Sequence, residues 1–402
     1  MPVMMKRAAG MDMPVGMPVD ELAEFVQLRR DIHQHPELAF QEHRTSELVA
    51  QALIAWGYQV TRGLGGTGVV GQLRKGKGAK KLGLRADMDA LPIEEQTGLK
   101  HASRHAGVMH ACGHDGHTAM LLAAAKFLAQ QGNFDGTLNL IFQPAEEGYG
   151  GARKMMDDGL FERFPCDAIF AMHNMPGFKP GRLLFRKGAT MASSENITIT
   201  LHGVGGHGAM PDKAVDPVVA GAAIVMGLQS IVSRNVAPLQ MAVITVGSFQ
   251  AGQANNVIPQ TATLKLSVRS LDRNVRLLLN RRIDELVQAQ AQSYGVRAEV
   301  AFHGGYPVLV NTDAETEFAT RIGLELFGPD NVDAHTDPIT GSEDFAFMLE
   351  QVPGSYFFIG NGDKSTGGHG ACMVHNPSYD FNDSNIAVGS AYWVRLAQLY
   401  LD

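Results

Sequence analysis

Residues 109–117, Met-His-Ala-Cys-Gly-His-Asp-Gly-His, place three histidines, one of the chain's three cysteines and an aspartate within nine positions. Cys112 and His114 alternate, so an extended chain sends both side chains to one face, where they can converge on a point. Thiolate and imidazole together suit a borderline-soft divalent cation such as zinc. On its own, a His-x-x-His spacing beside a helix start is no more than a cap with incidental histidines. Three further elements change that reading. Glu146-Glu147 follow the apolar run LNLIFQPA, and two adjacent carboxylates at a strand end resist joint ionisation. A cation resolves the conflict when one glutamate ligates it and the other stays available as a base. His173 ends the strand-like FAMHN, and His375 lies in VHNPSYDFND, a turn-rich segment dense in hydrogen-bonding side chains. Either histidine alone fits an ordinary satisfied polar residue. Cys112, His114, Glu147, His173 and His375 together are enough ligands for two metals roughly 3.5–4 Å apart sharing a bridging group.

The segments that must carry these residues alternate between two periodicities. DELAEFVQLRRDIHQH is amphipathic and stops at Pro36, because the residue before a proline avoids helix. A second helix is expected over about 41–56, ending at Gly57. YQVTRGL, GVVGQLR and KKLGLRADMDALP read as strands. The alanine-rich TAMLLAAAKFLAQQ reads as a buried helix starting at about Thr118. GTLNLIFQPAEE and CDAIFAMHN are further strands, the second ending at His173. Strands alternating with helices, with polar groups at the strand ends, predict an α/β sheet with the site along its carboxyl edge.

The texture changes near Ala189. NITITLHGVGG, DPVVAGAAIVMGLQSIV, MAVITVGSFQAG, TATLKLSVRS, NVRLLLNRRIDELVQAQAQSYG and VRAEVAFHGG follow a β-α-β-β-α-β order, the ferredoxin-like split motif. After Pro307 the α/β pattern returns. The expected organisation is a discontinuous metal-binding catalytic domain over 19–188 and 306–402, an inserted α+β lid or dimerisation domain over 189–305, and a disordered leader over 1–18.

With 402 residues, two domains are the default. The net charge of −7, from 34 basic and 41 acidic residues without long runs of either sign, argues against a nucleic-acid partner. Three cysteines cannot form a disulfide framework in a chain this long and fit a reducing compartment. The N-terminal stretch lacks the apolar core of a signal peptide. The longest apolar run, 218–232, is broken by Gly and Gln and is too short to span a bilayer. A cytoplasmic protein without a membrane partner is expected.

In this order, RRDIHQHPELAFQE, LRADMDALP, MHACGHDGHTAMLL, QPAEEGYGGA, AMHN, GGHGAMP, NNVIP, TGSEDFA and HNPSYDFND resemble the M20D amidohydrolases of the M20 metallopeptidase clan. That group includes hippurate hydrolases, N-acyl-amino-acid amidohydrolases and auxin-conjugate hydrolases. The resemblance covers nearly the whole chain from about Val19. It implies a zinc-peptidase-like catalytic α/β domain with the inserted ferredoxin-like domain. By motif it assigns Cys112, His114, Glu147, His173 and His375 as ligands to one or two divalent ions, zinc foremost, with manganese, cobalt or nickel as alternatives. Glu146 becomes the catalytic base.

The clan's His-x-Asp is here Asp87-Met88-Asp89. Its missing histidine fits a subgroup whose Cys-Gly-His element supplies ligands, and leaves Asp87 and Asp89 as either orienting groups or a buried turn. His207, of Gly-Gly-His, is implied to reach a neighbouring active site across a dimer interface and stabilise the oxyanion. Asn256 is a further polar contact to substrate, with Asn255 as its register alternative. Arg269 is the candidate clamp for a substrate carboxylate, since guanidinium binds carboxylate bidentately. Glu343-Asp344 either cap a helix or lie near the metals. His110, His117 and His369 read as structural, and Cys166 as core or loop. Cys372 has no derivable role, and the HQHPE stretch has none from physics alone.

The expected reaction is hydrolysis of the amide of an N-acyl amino acid by a homodimer or homotetramer built through the inserted domain. A dipeptidase, carboxypeptidase or N-carbamoyl amino acid hydrolase is the alternative of like chemistry. A non-catalytic binder of acyl-amino acids is the alternative of a different class.

Overall fold

An antiparallel hairpin, β1 (Gln59–Leu64) and β2 (Gly68–Lys75), starts the main sheet in this computed structural model, which describes residues 19–402. The leader expected over 1–18 lies outside the described residues. β3 (Lys81–Asp87), β4 (Gly136–Gln143) and β5 (Ala168–Pro176) follow, then the two-residue β6 (Leu183–Leu184) and a strand over Gly354–Gly362. The order across the eight strands is β1, β2, β4, β3, β5, Gly354–Gly362, β6 and a short Val332–Asp333 strand.

β3 runs parallel to β4 and to β5, and β5 runs parallel to Gly354–Gly362. Every residue of β4 and of Gly354–Gly362 is buried, as expected of strands covered on both faces. The parallel register brings the ends of β3, β4 and β5 to one edge of the sheet, with Asp87 opposite Gln143.

Three helices matter to the site: α1 (Val19–Gln34), α2 (His43–Ala55) and α3 (His114–Gln130). Most of α3 is buried, which suits a sequence apolar on all faces. It starts at His114, four residues before the expected start at Thr118, so His114 and His117 are helical residues. Gly113 precedes it in the left-handed region, φ 87 and ψ 17. Cys112 and His114 therefore converge through a glycine kink, and not through an extended strand. His173 likewise lies inside β5, which continues to Pro176.

The described residues divide into two compact units, the first over 19–188, 310–337 and 347–402 and the second over 189–309 and 338–346. The second contains four antiparallel strands in the order Ala242–Ala251, Thr261–Ser270, Ser193–His202, Arg297–Phe302. Helices Pro217–Asn235 and Arg273–Ser293 complete the β-α-β-β-α-β order, and the two helices and the sheet enclose a core of Ile199, Leu201, Ile224, Leu264, Leu279 and Ile283. Asp216 and Asp272 cap the two helices by accepting backbone N–H groups.

Two boundaries differ from the sequence expectation of 189–305. The second unit continues to 309, and it includes 338–346, which the sequence pattern assigned to the catalytic domain. The physical reason is local pairing: Ala192 donates its N–H to Ile339 O and Gly341 O, and Arg269 Nη1 donates to Ser342 Oγ at 2.8 Å. The Pro217–Asn235 helix is also longer than the apolar run at 218–232. At 19 residues it is long and apolar enough to cross a membrane by length and composition. Ala220, Gly221, Ile224, Leu228 and Ile231 instead form a face buried in the second unit.

Candidate active site

The carboxyl edge of the first unit gathers the ligand candidates from four segments. Cys112 Sγ lies 3.3 Å from His173 Nε2. His375 Nε2 lies 3.1 Å from Glu147 Oε1, and His114 Nε2 lies 3.9 Å from the same oxygen. Donor atoms of Cys112, Glu147 and His375 all fall within 4.8 Å of one another, as do those of His114, Glu146 and Glu147. The structure thus brings together all five ligand candidates and Glu146.

His173 and His114 are each held with one ring nitrogen turned to the centre. His173 Nδ1 donates to Asn174 O at 2.6 Å, which leaves a lone pair on Nε2. His114 Nδ1 donates to Asp89 Oδ1 at 3.2 Å, again leaving Nε2. Both His114 Nε2 and Glu147 Oε1 are buried without a hydrogen-bond partner. Such acceptors are costly to leave facing one another, and a cation between them satisfies both.

The electrostatics agree. Burial alone would lower the pKa of His114, yet Asp87, Asp89 and Glu147 raise it to about 10, so the site draws positive charge to this ring. Burial, Glu147, Glu146 and Asp87 together push the Cys112 thiol well above its ordinary value. A bound cation reverses that balance and favours thiolate. His173 is held well below its ordinary value by burial and by the neighbouring His117, and stays neutral. Two carboxylates, a thiol and three imidazoles are a donor set that fits divalent metal ions, and a cation would take the place of the proton that the carboxylates draw to His114.

Asp89 bonds one ligand candidate directly, and Asp87 bonds its neighbour His117 and Arg85. Asp89 Oδ1 accepts from His114 and from the N–H of Glu146 at 3.0 Å, while Oδ2 accepts from the N–H of Glu147 at 3.0 Å. Asp87 Oδ1 accepts from His117 Nδ1 at 2.6 Å and Oδ2 pairs with Arg85 Nη1 at 2.7 Å. Burial would raise its pKa, but His114, Arg85 and His117 hold it well below the usual carboxylate range. His117 Nε2 accepts the N–H of Asn174 at 3.0 Å, so both its nitrogens are engaged, although one of its donor atoms falls within 4.8 Å of donor atoms of Asp87, His114 and His173.

Backbone strain concentrates here. Among the described residues the non-glycine positions with positive φ are Phe40, Ala145 and His375. Ala145 turns the chain between β4 and Glu146, and His375 is itself a ligand candidate. Each such residue costs roughly 1–3 kcal/mol, which the surrounding hydrogen bonds must offset. His375 N donates to Ala111 O at 2.7 Å, and His369 Nδ1 donates to Ser378 O at 2.7 Å. Tyr379 Oη donates to Asn174 Oδ1 at 2.6 Å, and Asn174 Nδ2 donates to Cys112 O at 2.6 Å. Asn174 thereby ties the His173 strand, the Cys112 turn and the His375 loop together.

The HQHPE stretch also gains a function. Fully buried Arg29 pairs with Asp115 at 2.8 Å, with Asp380, and with Asp383 at 3.3 Å. His33 Nδ1 bonds Asp115 at 2.8 Å. α1 thus clamps the start of α3 to the loop that follows His375. Sequence reasoning missed Arg29, Asp115, Asn174 and Tyr379, whose only signal is polar character inside apolar surroundings. Cys372 packs against the core and Cys166 contacts Asn139 and Phe164; neither belongs to a metal-like group among the described residues.

The second unit carries the other candidates. His207, on Gly206–His207, pairs with Val257 on Val257–Ile258, and Gly208 N donates to Asn256 O at 2.8 Å, so His207 and Asn256 are neighbours in one ribbon. His207 Nδ1 accepts the N–H of Ala209 at 3.1 Å, so the neutral ring carries its proton on Nε2. Arg269 is half-buried and faces Ser194 across the sheet, while Thr261, at the other end of the same strand, faces His202. Eight residues of strand, roughly 27 Å, separate Thr261 from Arg269. His207, five residues past His202, and Asn256, five residues before Thr261, both adjoin the end of this strand opposite to Arg269 in the chain. Glu343 Oε1 accepts from Phe345 N at 2.9 Å, a local turn contact.

The chain is 47% identical over 383 residues to a hippurate hydrolase of Campylobacter jejuni, covering 95% of this chain and 98% of that one. It is 36% identical to an N-acetyl-L-cysteine deacetylase of Bacillus subtilis, covering 94% and 88%. Among solved structures it superposes on a dinuclear metal-binding peptidase of the M20 family from Bacillus subtilis with a TM-score of 0.82 at 31% identity, covering 96% and 99%. Residues 83–399 match the family described as peptidase family M20/M25/M40, and the chain belongs to that family.

Proposed function

We propose that this protein hydrolyses the amide bond of N-acyl amino acids, releasing a carboxylic acid and a free amino acid. The observation that carries this reading is the convergence of Cys112, His114, Glu147, His173 and His375 beside Glu146, with ligating atoms turned inward. Similarity to a hippurate hydrolase and an N-acetyl-L-cysteine deacetylase supports the substrate class. One or two divalent ions held by these residues, zinc first by donor type and manganese, cobalt or nickel as alternatives, would acidify a water and polarise the substrate carbonyl.

The remaining steps belong to the chain. Glu146 takes the proton of the attacking water and delivers it to the leaving amine. His207 donates from Nε2 to the developing oxyanion, a role suited to its tautomer. Arg269 holds the α-carboxylate, with Asn256 as a further polar contact, so that attack is effectively unimolecular. The place of His207 in a ribbon that adjoins the Thr261 end of the strand, with Arg269 toward its other end, supports a homodimer or homotetramer in which His207 of the partner subunit completes the site. A reducing, cytoplasmic setting accords with three free cysteines.

The test is release of free amino acid from N-acetyl, N-benzoyl and longer N-acyl amino acids, beside Gly-Xaa dipeptides and N-carbamoyl amino acids. N-acyl substrates turned over fastest support the proposal. Faster turnover of dipeptides or carbamoyl compounds would replace it with the related peptidase or carbamoylase chemistry. Binding of acyl-amino acids without turnover of any class would leave a binding protein.

A further inference from the structure

We propose that Glu42 is a positioning residue for the Glu146-Glu147 pair, acting through the backbone of Ala145. The inference rests on the reading of Glu147 as a metal ligand and Glu146 as the base.

Glu42 lies at the start of α2 and its side chain is completely buried. Its Oε1 accepts the N–H of Phe40 at 3.0 Å and the N–H of Ala145 at 2.9 Å. Those are two of the three non-glycine residues with positive φ among the described residues. Oε2 accepts the hydroxyl of Thr67, in the turn between β1 and β2. One carboxyl group thus joins three segments at the point where the chain leaves β4.

The three successive N–H groups of residues 145, 146 and 147 all end on buried carboxylate oxygens: Glu42 Oε1, then Asp89 Oδ1, then Asp89 Oδ2. Asp89 fixes the amides of Glu146 and Glu147, and Glu42 fixes the amide at the kink before them. Without Glu42 the Ala145 N–H is buried with no acceptor, in a backbone conformation that a non-glycine residue leaves readily. Relaxation of Ala145 would turn the two glutamates away together.

The geometry asks for an acceptor atom at one place, and a negative charge is not needed. Burial raises the pKa of Glu42 to about 7, with nearby Asp89 adding to the rise against the donors from Thr67 and the backbone. Glutamine keeps an oxygen where Oε1 stands, and its amide can donate to the Thr67 hydroxyl. Aspartate keeps the charge but withdraws the oxygens by one carbon–carbon bond.

The experiment compares the full-length parent with Glu42→Gln, Glu42→Asp and Glu147→Ala. Each protein is stripped of metal and titrated with Co2+, following the thiolate-to-cobalt absorbance, with circular dichroism to confirm folding and kcat and KM measured separately. Glu42→Gln should bind Co2+ like the parent. Glu42→Asp should bind about tenfold or more weakly, with kcat lowered further than KM is raised. Aspartate performing as well as or better than glutamine would overturn the proposal, because charge alone would then suffice. Weak Co2+ binding by a folded Glu42→Gln would overturn it equally, and this arm decides the question if Glu42→Asp does not fold. Parent-like Co2+ binding by Glu147→Ala would strike the underlying ligand assignment instead, a failure distinguishable from the other two.

Discussion

Asp89 Oδ1 lies 3.2 Å from His114 Nδ1, and the carboxylate that aims this imidazole also accepts both backbone amides of the Glu146-Glu147 pair. A single buried side chain therefore bonds one candidate ligand histidine and the backbone of both the candidate ligand Glu147 and the candidate base Glu146. Asp89→Asn can satisfy only part of this pattern, since its amide nitrogen faces an N–H donor. Metal affinity should fall about 10–100-fold, with kcat falling as well. Equilibrium dialysis against a competing chelator measures the first, and unchanged affinity would mean that Asp89 is merely a buried turn.

Glu146 is the only member of the pair assigned to proton transfer, so Glu146→Gln should separate metal binding from turnover. kcat should drop roughly 10²–10⁴-fold while metal content by atomic emission stays at the parent level. Activity surviving within a few-fold of the parent would remove Glu146 from the role of base.

Gly113 is required on two grounds. Its φ is 87, and a Cβ placed there would come within 2.3 Å of Asn174 Nδ2 and 2.4 Å of Tyr379 Oη. Gly113→Ala should cost about 2–4 kcal/mol in stability from backbone strain and overpacking together. It should also weaken metal binding, because the kink sets the Cys112–His114 approach. Chemical denaturation of the metal-free protein reads the first effect, and a parent-like midpoint would contradict it.

Much of this site was visible in local sequence. Cys112, His114, Glu146, Glu147, His173 and His375 each sit in a short polar cluster against an apolar run, and residue type alone suggests their chemistry. The β-α-β-β-α-β order was visible because its strands and helices have clean periods. What stayed hidden depends on partners far apart in the chain. Glu42 and Ala145 are 103 residues apart, and Arg29 and Asp380 are 351 apart. The left-handed turn at Gly113 changed how two ligand candidates converge without changing which residues they are. The segment 338–346 joined the second unit through backbone pairing with Ala192, which carries no periodic signal.

The clamp formed by Arg29, His33 and Asp115 has a pH signature. Burial and Arg29 act to lower the pKa of His33, but Asp115 and Glu95 prevail and raise it from 6.5 to about 9. A raised folded pKa means stability fully present below pH 6.5 and lost as pH climbs through 9, a change of about 3 kcal/mol. The stability difference between the parent and His33→Gln should therefore be larger at pH 6 than at pH 9.5. A difference independent of pH would show that His33 is neutral in the clamp.

The most direct test of the central claim is amino-acid release from N-benzoylglycine by metal-stripped protein, before and after addition of Zn2+ or Mn2+. The account predicts no release from the stripped protein, recovery on adding metal, and no recovery in Cys112→Ser or Glu146→Gln. Release at the parent rate from fully stripped protein, or full recovery in both variants, would contradict it.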